Sequence, residues 1–398
     1  MAMALADSPP RVDSMSLDEL APDTPVEQER RTSYLELFFD LVFVFAVTQV
    51  ATLLSDDASA GGFARGALVL FLVWWAWGGY AWLTNAIDIE SLGVRVGFLA
   101  ATAASFFMAL AVPDAFGSGG AWFAVPFLVV RVLHIVLYVW GLRADPDHQA
   151  AIKHLAPWFL AAPVFVLVGG LVDDPARTWL WLTSVAVDVV GALNAGPGFR
   201  VSPSHFAERY ALFVIIALGE SIVAIGVGAA GVERDATFAL AVAVAFAGVA
   251  ALWWAYFDFT ARAAERVLHD ATPEQRGPLA RDVFSYFHYP IVLGIVFFAV
   301  AAKKTLAHPA DPLSDAGRAA LGLGIAIFLT GFVLARYRAL RRVACERGIA
   351  AVVALLLALL LDDVDALALL EIVVGVLIVA TGIERTRLRE LRARMRIA

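Results

Sequence analysis

Long apolar runs follow one another along this chain with only short polar breaks, and that pattern decides the fold class. Twelve runs stand at 34–54, 63–84, 94–112, 121–142, 154–171, 177–195, 210–230, 236–260, 283–303, 317–335, 347–361 and 365–383. A helix needs about 20 mostly apolar residues to cross the hydrocarbon layer, and most of the runs reach that length. The eleventh is the weakest, with a clean stretch only from Ile349 to Leu361. The breaks, among them SDDASAGG, PDAFGSGG and DATPEQRGP, hold turn-forming residues. Lipid cannot satisfy an exposed backbone, so spanning segments are helices or closed barrels. Barrel strands alternate apolar and polar residues, and these runs do not. Of the 398 residues, 61% are apolar and 17% charged, against roughly 25% charged in a soluble domain. A soluble fold would have to expose a large apolar surface. The reading is an all-α polytopic integral membrane bundle of about twelve transmembrane helices. It excludes a soluble enzyme and a disordered protein. A nucleic-acid partner is excluded too, and the net charge of −7 agrees.

Basic residues set the orientation, because cytoplasmic loops are enriched in Lys and Arg. With the N-terminus inside, 23 of the 30 fall on the inner side, six on the outer, and Arg131 lies within a run. Both termini are therefore expected in the cytoplasm of a bacterium, with the bundle in its inner membrane. Residues 1–33 read as a disordered cytoplasmic tail with a short helix near Leu17 to Leu20, and 385–398 as a basic tail. The single cysteine, Cys345, excludes an intrachain disulfide.

The runs divide into two halves, 34–200 and 201–384, that resemble each other. WWAW at 74–77 matches WWAY at 253–256. Asp40 and Glu220, Asp188 and Glu371, and Arg95 and Arg281 recur at offsets of 180, 183 and 186. Six helices per half is an even number, so the halves would be parallel repeats about an axis along the membrane normal.

Ionisable residues inside a bilayer face a bundle interior or a water-filled cavity. Glu36 and Asp40 share a face of the first run at i, i+4 spacing. Glu220 lies near the middle of the seventh, followed by Ser221. Asp188 lies in the sixth, Glu371 in the twelfth, and Arg131 and His134 share a face of the fourth. Arg131 suits Asp188, Asp40 or Glu220 as a partner. An unpaired buried carboxylate would be protonated or hold a cation, which makes Asp40 and Glu220 the leading candidates for a proton or cation site. Glu36, Asp258 and His288 suit helix locking. The deep tryptophans suit packing, and Gly219, Gly226 and Gly228 suggest close helix approach. The run DPDHQAAIKH, with Asp145, Asp147, His148 and His154, lacks metal-ligand spacing. No phosphate loop, HExxH, Ser-His-Asp order or dinucleotide fingerprint is present, so no cofactor, metal or catalytic step is expected.

Two stretches are distinctive: YLELFFDLVFVFAVTQV at 34–50 and HFAERYALFVIIALGESIVAIG at 205–226. With WWAYFD at 253–258, they resemble the bacterial low temperature requirement protein A (LtrA) family, from about Arg30 to the C-terminus. The resemblance marks Glu36, Phe39, Asp40, His205, Glu208, Arg209, Gly219, Glu220 and Ser221 as motif positions. It implies a multi-pass membrane protein and no particular substrate. His205, Glu208 and Arg209 fall at the expected cytoplasmic mouth of the seventh run, where they would gate access to Glu220 or anchor the helix.

Two kinds of function follow. One is a proton- or cation-coupled secondary transporter of a small solute. The other is a non-transporting scaffold or stress protein whose buried acids lock helices. A channel is a variant of the first, and a membrane enzyme fits least.

Overall fold

The computed structural model describes residues 31–143, 145–195 and 201–387, the side chains of 146–148 and 150 excepted. The expected tails and the short helix near Leu17 fall largely outside them, as do Asp147 and His148. The described residues are helical throughout, joined by short turns. The long helices of the first half are α1 (Tyr34–Asp56), α2 (Ala60–Ala86), α3 (Leu92–Leu110), α4 (Gly120–Gly141), α5 (Pro146–Gly170) and α6 (Ala176–Leu193). Then come α7 (Pro203–Gly228), α8 (Ala236–Phe257), α9 (Thr260–Asp270), α10 (Pro273–Leu279), α11 (His288–Ala307), α12 (Asp315–Leu340), α13 (Cys345–Leu360) and α14 (Ala366–Arg387). Each of the twelve apolar runs has its helix. Among the described residues ten stretches are long and apolar enough to cross a membrane, and α6 and α13 are not among them. At a rise of 1.5 Å per residue, the 18 residues of α6 and 16 of α13 reach only about 27 and 24 Å.

Side chains set where several helices begin. Ser33 and Glu36 form a capping box at α1, and Ser59, Asp235 and Ser314 accept from the first turns of α2, α8 and α12. α2 and α11 are apolar on all sides and central, with 78% of their spanning windows buried. The outer helices turn apolar side chains outward, among them Trp122, Trp179 and Leu360, each about 70% exposed. Such a surface is stable against lipid and not against water. The chain is a multi-pass membrane protein.

Packing runs in order. α1 lies on α2 and α3, α3 on α4, α4 on α5, α5 on α6, and α6 returns to α2. In the second half α7 lies on α8 and α11, α11 on α12, α12 on α13, α13 on α14, and α14 returns to α8. The halves meet where α1 and α2 touch α7 and α11. Three side-chain contacts join α1 to α7: Glu36 with His205, Asp40 with Arg209, and Thr48 with Glu220. They climb both helices together, so the two run parallel.

Two features depart from the sequence expectation. Residues 261–282, expected as a break between runs, hold nearly all of α9, the whole of α10 and the start of a π-helical turn, Ala280–Tyr286, that leads into α11. α7 begins at Pro203, seven residues before the expected run. His205 and Arg209 are therefore buried inside its first two turns, not at a mouth ahead of it. A window that stops at charged residues misses them because their charge is met within the bundle.

Candidate functional site

The charges inside the bundle form separate groups. At the first, α1 presents Glu36 and Asp40 from successive turns to α7. Arg209 grips Asp40 through both terminal nitrogens, Nη1 to Oδ2 at 2.8 Å and Nη2 to Oδ1 at 3.0 Å. Trp77 Nε1 donates to Asp40 Oδ1 at 2.8 Å. Glu36 Oε2 accepts from the Ser33 amide while its Oε1 lies 3.0 Å from His205 Nε2 and 3.7 Å from Arg209 Nε. Asn85 fixes the histidine: its Nδ2 donates to Nδ1 at 2.9 Å, and its Oδ1 takes the Ser202 amide. With Nδ1 accepting, Nε2 carries the hydrogen that points at Glu36. Glu36, Asp40, His205 and Arg209 are all at most 3% exposed. Geometry of this kind fastens two helices. Glu208 is exposed and accepts from the Thr32 amide at 3.0 Å, so it anchors the approach to α1 and stays out of the group.

Glu220 stands apart. It lies 11 residues beyond Arg209 on α7, about 16 Å further along the axis. Thr48 donates to it. Lys303 on α11 is near enough to act on it electrostatically but forms no ion pair with it. Glu36, Asp40, Asp188 and Glu384 each have a basic partner within ion-pair distance; Glu220 alone of the buried acids has none among the described residues. Its neighbour Ser221 is buried, and its hydroxyl has no hydrogen-bond partner. Asp40 and Glu220 are therefore not symmetry mates at one depth, contrary to the 180-residue offset. Asp40 is the seventh residue of its helix, as Arg209 is of α7, whereas Glu220 is the eighteenth.

The third group sits between α4 and α6, where Arg131 Nη2 donates to Asp188 Oδ1. Arg131 is the expected partner for Asp188. Both are at most 2% exposed, and the guanidinium lies over the Phe159 ring at 5.2 Å. One turn along α4, His134 Nε2 lies 2.9 Å from the Gly79 carbonyl of α2. The expected twin of Asp188 is elsewhere: Glu371 is exposed on the second turn of α14 and belongs to no buried group. Its resemblance to Asp188 is local sequence and not environment. The tryptophans diverge likewise, Trp74 and Trp77 being fully buried and Trp253 and Trp254 about 40% exposed.

A cavity of about 290 Å³ opens at the face where α1 begins and ends at Arg131 and His134. Its walls are the indoles of Trp74, Trp75 and Trp82 and the ring of Phe159, with α10 and Arg281 at its rim. The π-helical turn builds one side. Ser285 there takes Trp74 Nε1 on its carbonyl at 2.8 Å and Trp82 Nε1 on its hydroxyl at 2.9 Å. Tyr210 lies 2.8 Å from the same hydroxyl, tying the cavity wall to the α1–α7 seam. A π turn is a frequent mark of functional sites. Neither this cavity nor the role of Trp77 is visible in the sequence, since α10 lies in a polar break and the π turn straddles the start of the ninth run with nothing to mark its geometry.

Residues 31–381 match the family described as bacterial low temperature requirement A protein (LtrA). The chain belongs to the LtrA family. It is also similar to an uncharacterized protein of Rhizobium meliloti (strain 1021), 34% identical over 294 residues, which cover 71% of each chain. The motif positions of this LtrA protein thus divide. Glu36, Asp40, His205 and Arg209 join α1 to α7, Glu220 and Ser221 lie deeper on the same seam, and Glu208 is outside. Two further arginines, the first residues of the sixth and eleventh runs, are also buried. Arg177 donates to the carbonyls of Gly169, Val172, Ala115 and Gly117, and Arg347 binds Glu384. Among the described residues no group of three His, Cys, Asp or Glu is placed to hold a metal.

Proposed function

We propose that this LtrA protein is a secondary carrier of a small solute, coupled to protons or a cation. The observation that carries the reading is the cavity, which runs from one face to a buried Arg131–Asp188 pair and is walled by aromatic rings. Ligand sites are concave, mostly apolar and supplied with a few placed polar groups. Glu220 is the candidate coupling residue because it is the buried carboxylate without an ion pair, and it lies between the halves. The reading includes twelve spanning helices, α6 and α13 among them, in two parallel six-helix halves with both termini in the cytoplasm of the inner membrane. The same cycle of helix contacts in each half and the excess of Lys and Arg on one side support it. It requires no catalytic step.

The test is solute uptake into proteoliposomes under an imposed pH or sodium gradient. Wild-type protein should accumulate solute and dissipate the gradient. Glu220→Gln should abolish coupled uptake while leaving folding unchanged, and wild-type uptake by that variant would refute the coupling role. The scaffold reading is favoured by one observation, the fastening of Glu36 and Asp40 by His205 and Arg209. It expects no flux of any solute and a loss of thermal stability in Glu220→Gln.

A further inference from the structure

Where Glu220 meets Thr48 across the α1–α7 seam, two acceptors compete for one hydrogen. Thr48 Oγ1 is hydrogen-bonded to Glu220 Oε2 and also lies 3.2 Å from the Val44 carbonyl, one turn back on α1. A threonine hydroxyl donates once and can accept as well. With Glu220 ionised, the hydrogen goes to the carboxylate, and the Val44 carbonyl keeps its helix partner. With Glu220 protonated, the carboxyl O–H donates to Thr48 Oγ1, and the threonine hydrogen turns to Val44. Both states are hydrogen-bonded with the heavy atoms in the same places, so a proton can come and go for one hydroxyl rotation. The same place offers little to a metal cation. Hard cations such as Mg²⁺ and Ca²⁺ take six or more oxygens, whereas one carboxylate and one hydroxyl converge here among the described residues. The Ser221 hydroxyl is unpaired, but neighbours in sequence do not face one another on a helix. Carriers that bind Na⁺ use carbonyls freed where a spanning helix unwinds. α1, α7 and α11 run unbroken past this level, so their carbonyls stay in helix bonds. Few charges face the pair. α8 has none between Ala236 and Phe257, α2 has Arg65, which is paired with Asp57, and α9 lies at the other end of α7. On α1, Asp40 and Asp56 stand eight residues to either side of Thr48. On α11, Lys303 acts on Glu220 without an ion pair, and Lys304 follows it.

We propose that Glu220 binds a proton and no metal cation, and that Thr48 is the positioning residue that holds its carboxyl in both states. The proton comes from water, bonds to Oε2 and returns to water. This inference rests on the reading above that Glu220 is the coupling residue of a carrier, and it names the coupling ion.

The experiment is an infrared pH titration of the full-length protein in lipid nanodiscs, read at the C=O stretch of a protonated carboxyl. It is run in choline chloride, in NaCl and in MgCl₂. A band should grow as pH falls, be missing in Glu220→Gln, and keep its midpoint in all three salts. Thr48→Val keeps the shape and removes the donor to the carboxylate. It should raise the midpoint by about one pH unit, because a hydrogen bond to a charged group is worth more than one to a neutral group. Thr48→Ser should restore the wild-type midpoint, which a role in packing alone would not do. The two Thr48 variants carry the test if Glu220→Gln fails to fold. A midpoint that falls by about one unit for each tenfold rise in NaCl or MgCl₂ marks a cation competing for the carboxylate and would overturn the proposal. So would a midpoint unmoved in Thr48→Val, or no Glu220 band down to the pH at which the protein unfolds. A Glu220 band that titrates in protein carrying no solute overturns the carrier reading and leaves this inference standing. Uptake driven by a sodium gradient at equal pH, and lost in Glu220→Gln, does the reverse.

Discussion

Arg209→Met is expected to destabilise the protein far more than Asp40→Asn, because the two substitutions strand different charges. Arg209 meets Asp40 at 2.8 and 3.0 Å and Glu36 at 3.7 Å, with every member of the group at most 3% exposed. Removing the guanidinium leaves two buried carboxylates one turn apart, with His205 as the one basic side chain beside them. Removing one partner of a buried pair costs about 3–5 kcal/mol, and this case belongs at the upper end. Asp40→Asn leaves Arg209 beside Glu36, and the amide oxygen still accepts from Trp77. The new Nδ2 cannot accept from Arg209 Nη1, so the cost is that hydrogen bond together with the charge assistance in the others, about 2 kcal/mol. A difference of about 3 kcal/mol is a factor of about 150 in the folding equilibrium, at 1.4 kcal/mol per decade. The double variant Arg209→Met with Asp40→Asn should lose less than the sum, since it strands one carboxylate in place of two. The assay is reversible unfolding in mixed micelles followed by tryptophan fluorescence, run as a double-mutant cycle. Arg209→Met no worse than Asp40→Asn, or additive behaviour in the double variant, would refute the argument that this group is a charge-matched fastening.

The contact between α11 and α12 gives a second prediction. A Cβ on Gly294 would stand 2.5 Å from the Gly324 carbonyl oxygen, and one on Gly331 would stand 2.9 Å from the Phe287 carbonyl oxygen. Gly294→Ala and Gly331→Ala should each cost about 1–3 kcal/mol. Gly219→Ala and Gly226→Ala, where nothing lies within 4 Å, should gain up to about 1 kcal/mol of helix propensity. Thermal melts in detergent that rank all four alike would remove the distinction. The turn between α1 and α2 gives a pH prediction. Hydrogen bonds from Ser59 and Arg65 hold the Asp57 carboxyl below the usual carboxylate range. A lowered folded-state value stabilises above about pH 4 and is lost as pH falls through it. With the side chain 38% exposed, solvent screening leaves the contribution at about 0.5 kcal/mol or less. Asp57→Asn should flatten that acid limb, and identical stability curves between pH 5 and pH 2 would contradict the assignment.

What was legible in the sequence follows from what each signal measures. Apolar run length reports the lipid-facing and core content of a helix, so each run falls on a helix, with starts off by up to eight residues. The i, i+4 spacing of Glu36 and Asp40 reported a shared face, and Arg131 within an apolar run needed an acid, which Asp188 supplies. α9 and α10 were missed because a search for long apolar runs passes over short polar helices, although α9 is amphipathic, and the π turn is a backbone geometry at the start of the ninth run that run length does not report. Arg177 and Arg347, at the edges of their runs, were not singled out because a basic residue there looks the same buried or free. Inside the fold, four carbonyls satisfy the first and Glu384 the second. Of the three glycines marked for close approach, Gly228 makes one, against Lys303, whereas Gly219 and Gly226 have nothing within 4 Å, and the close approach of Gly294 to Gly324 was not marked. A glycine's neighbour is a property of the partner helix, which its own sequence does not contain.

Matching like residues gives the proposed halves an offset of about 180, which differs from the spacing of the residues that face each other at the α1–α7 seam. At the α1–α7 seam, Glu36 faces His205 and Asp40 faces Arg209. Both pairs are separated by 169 residues, which is also the separation of Tyr34 and Pro203, the first residues of the two helices. If an axis along the membrane normal relates the halves, it passes between these helices and brings equivalent positions face to face. Two identical copies would then set acid against acid, which a buried site does not tolerate without protonation or a bound cation. An acid in one half and a base in the other removes that conflict, so the seam is where equivalent positions must differ in sign. On that reading a search for matching acids is drawn away from the positions that face each other toward Glu220, about three turns further along α7. The same reasoning singles out Glu220. Its level on the seam is the one where the opposite helix supplies a hydroxyl, Thr48, in place of a counter-charge.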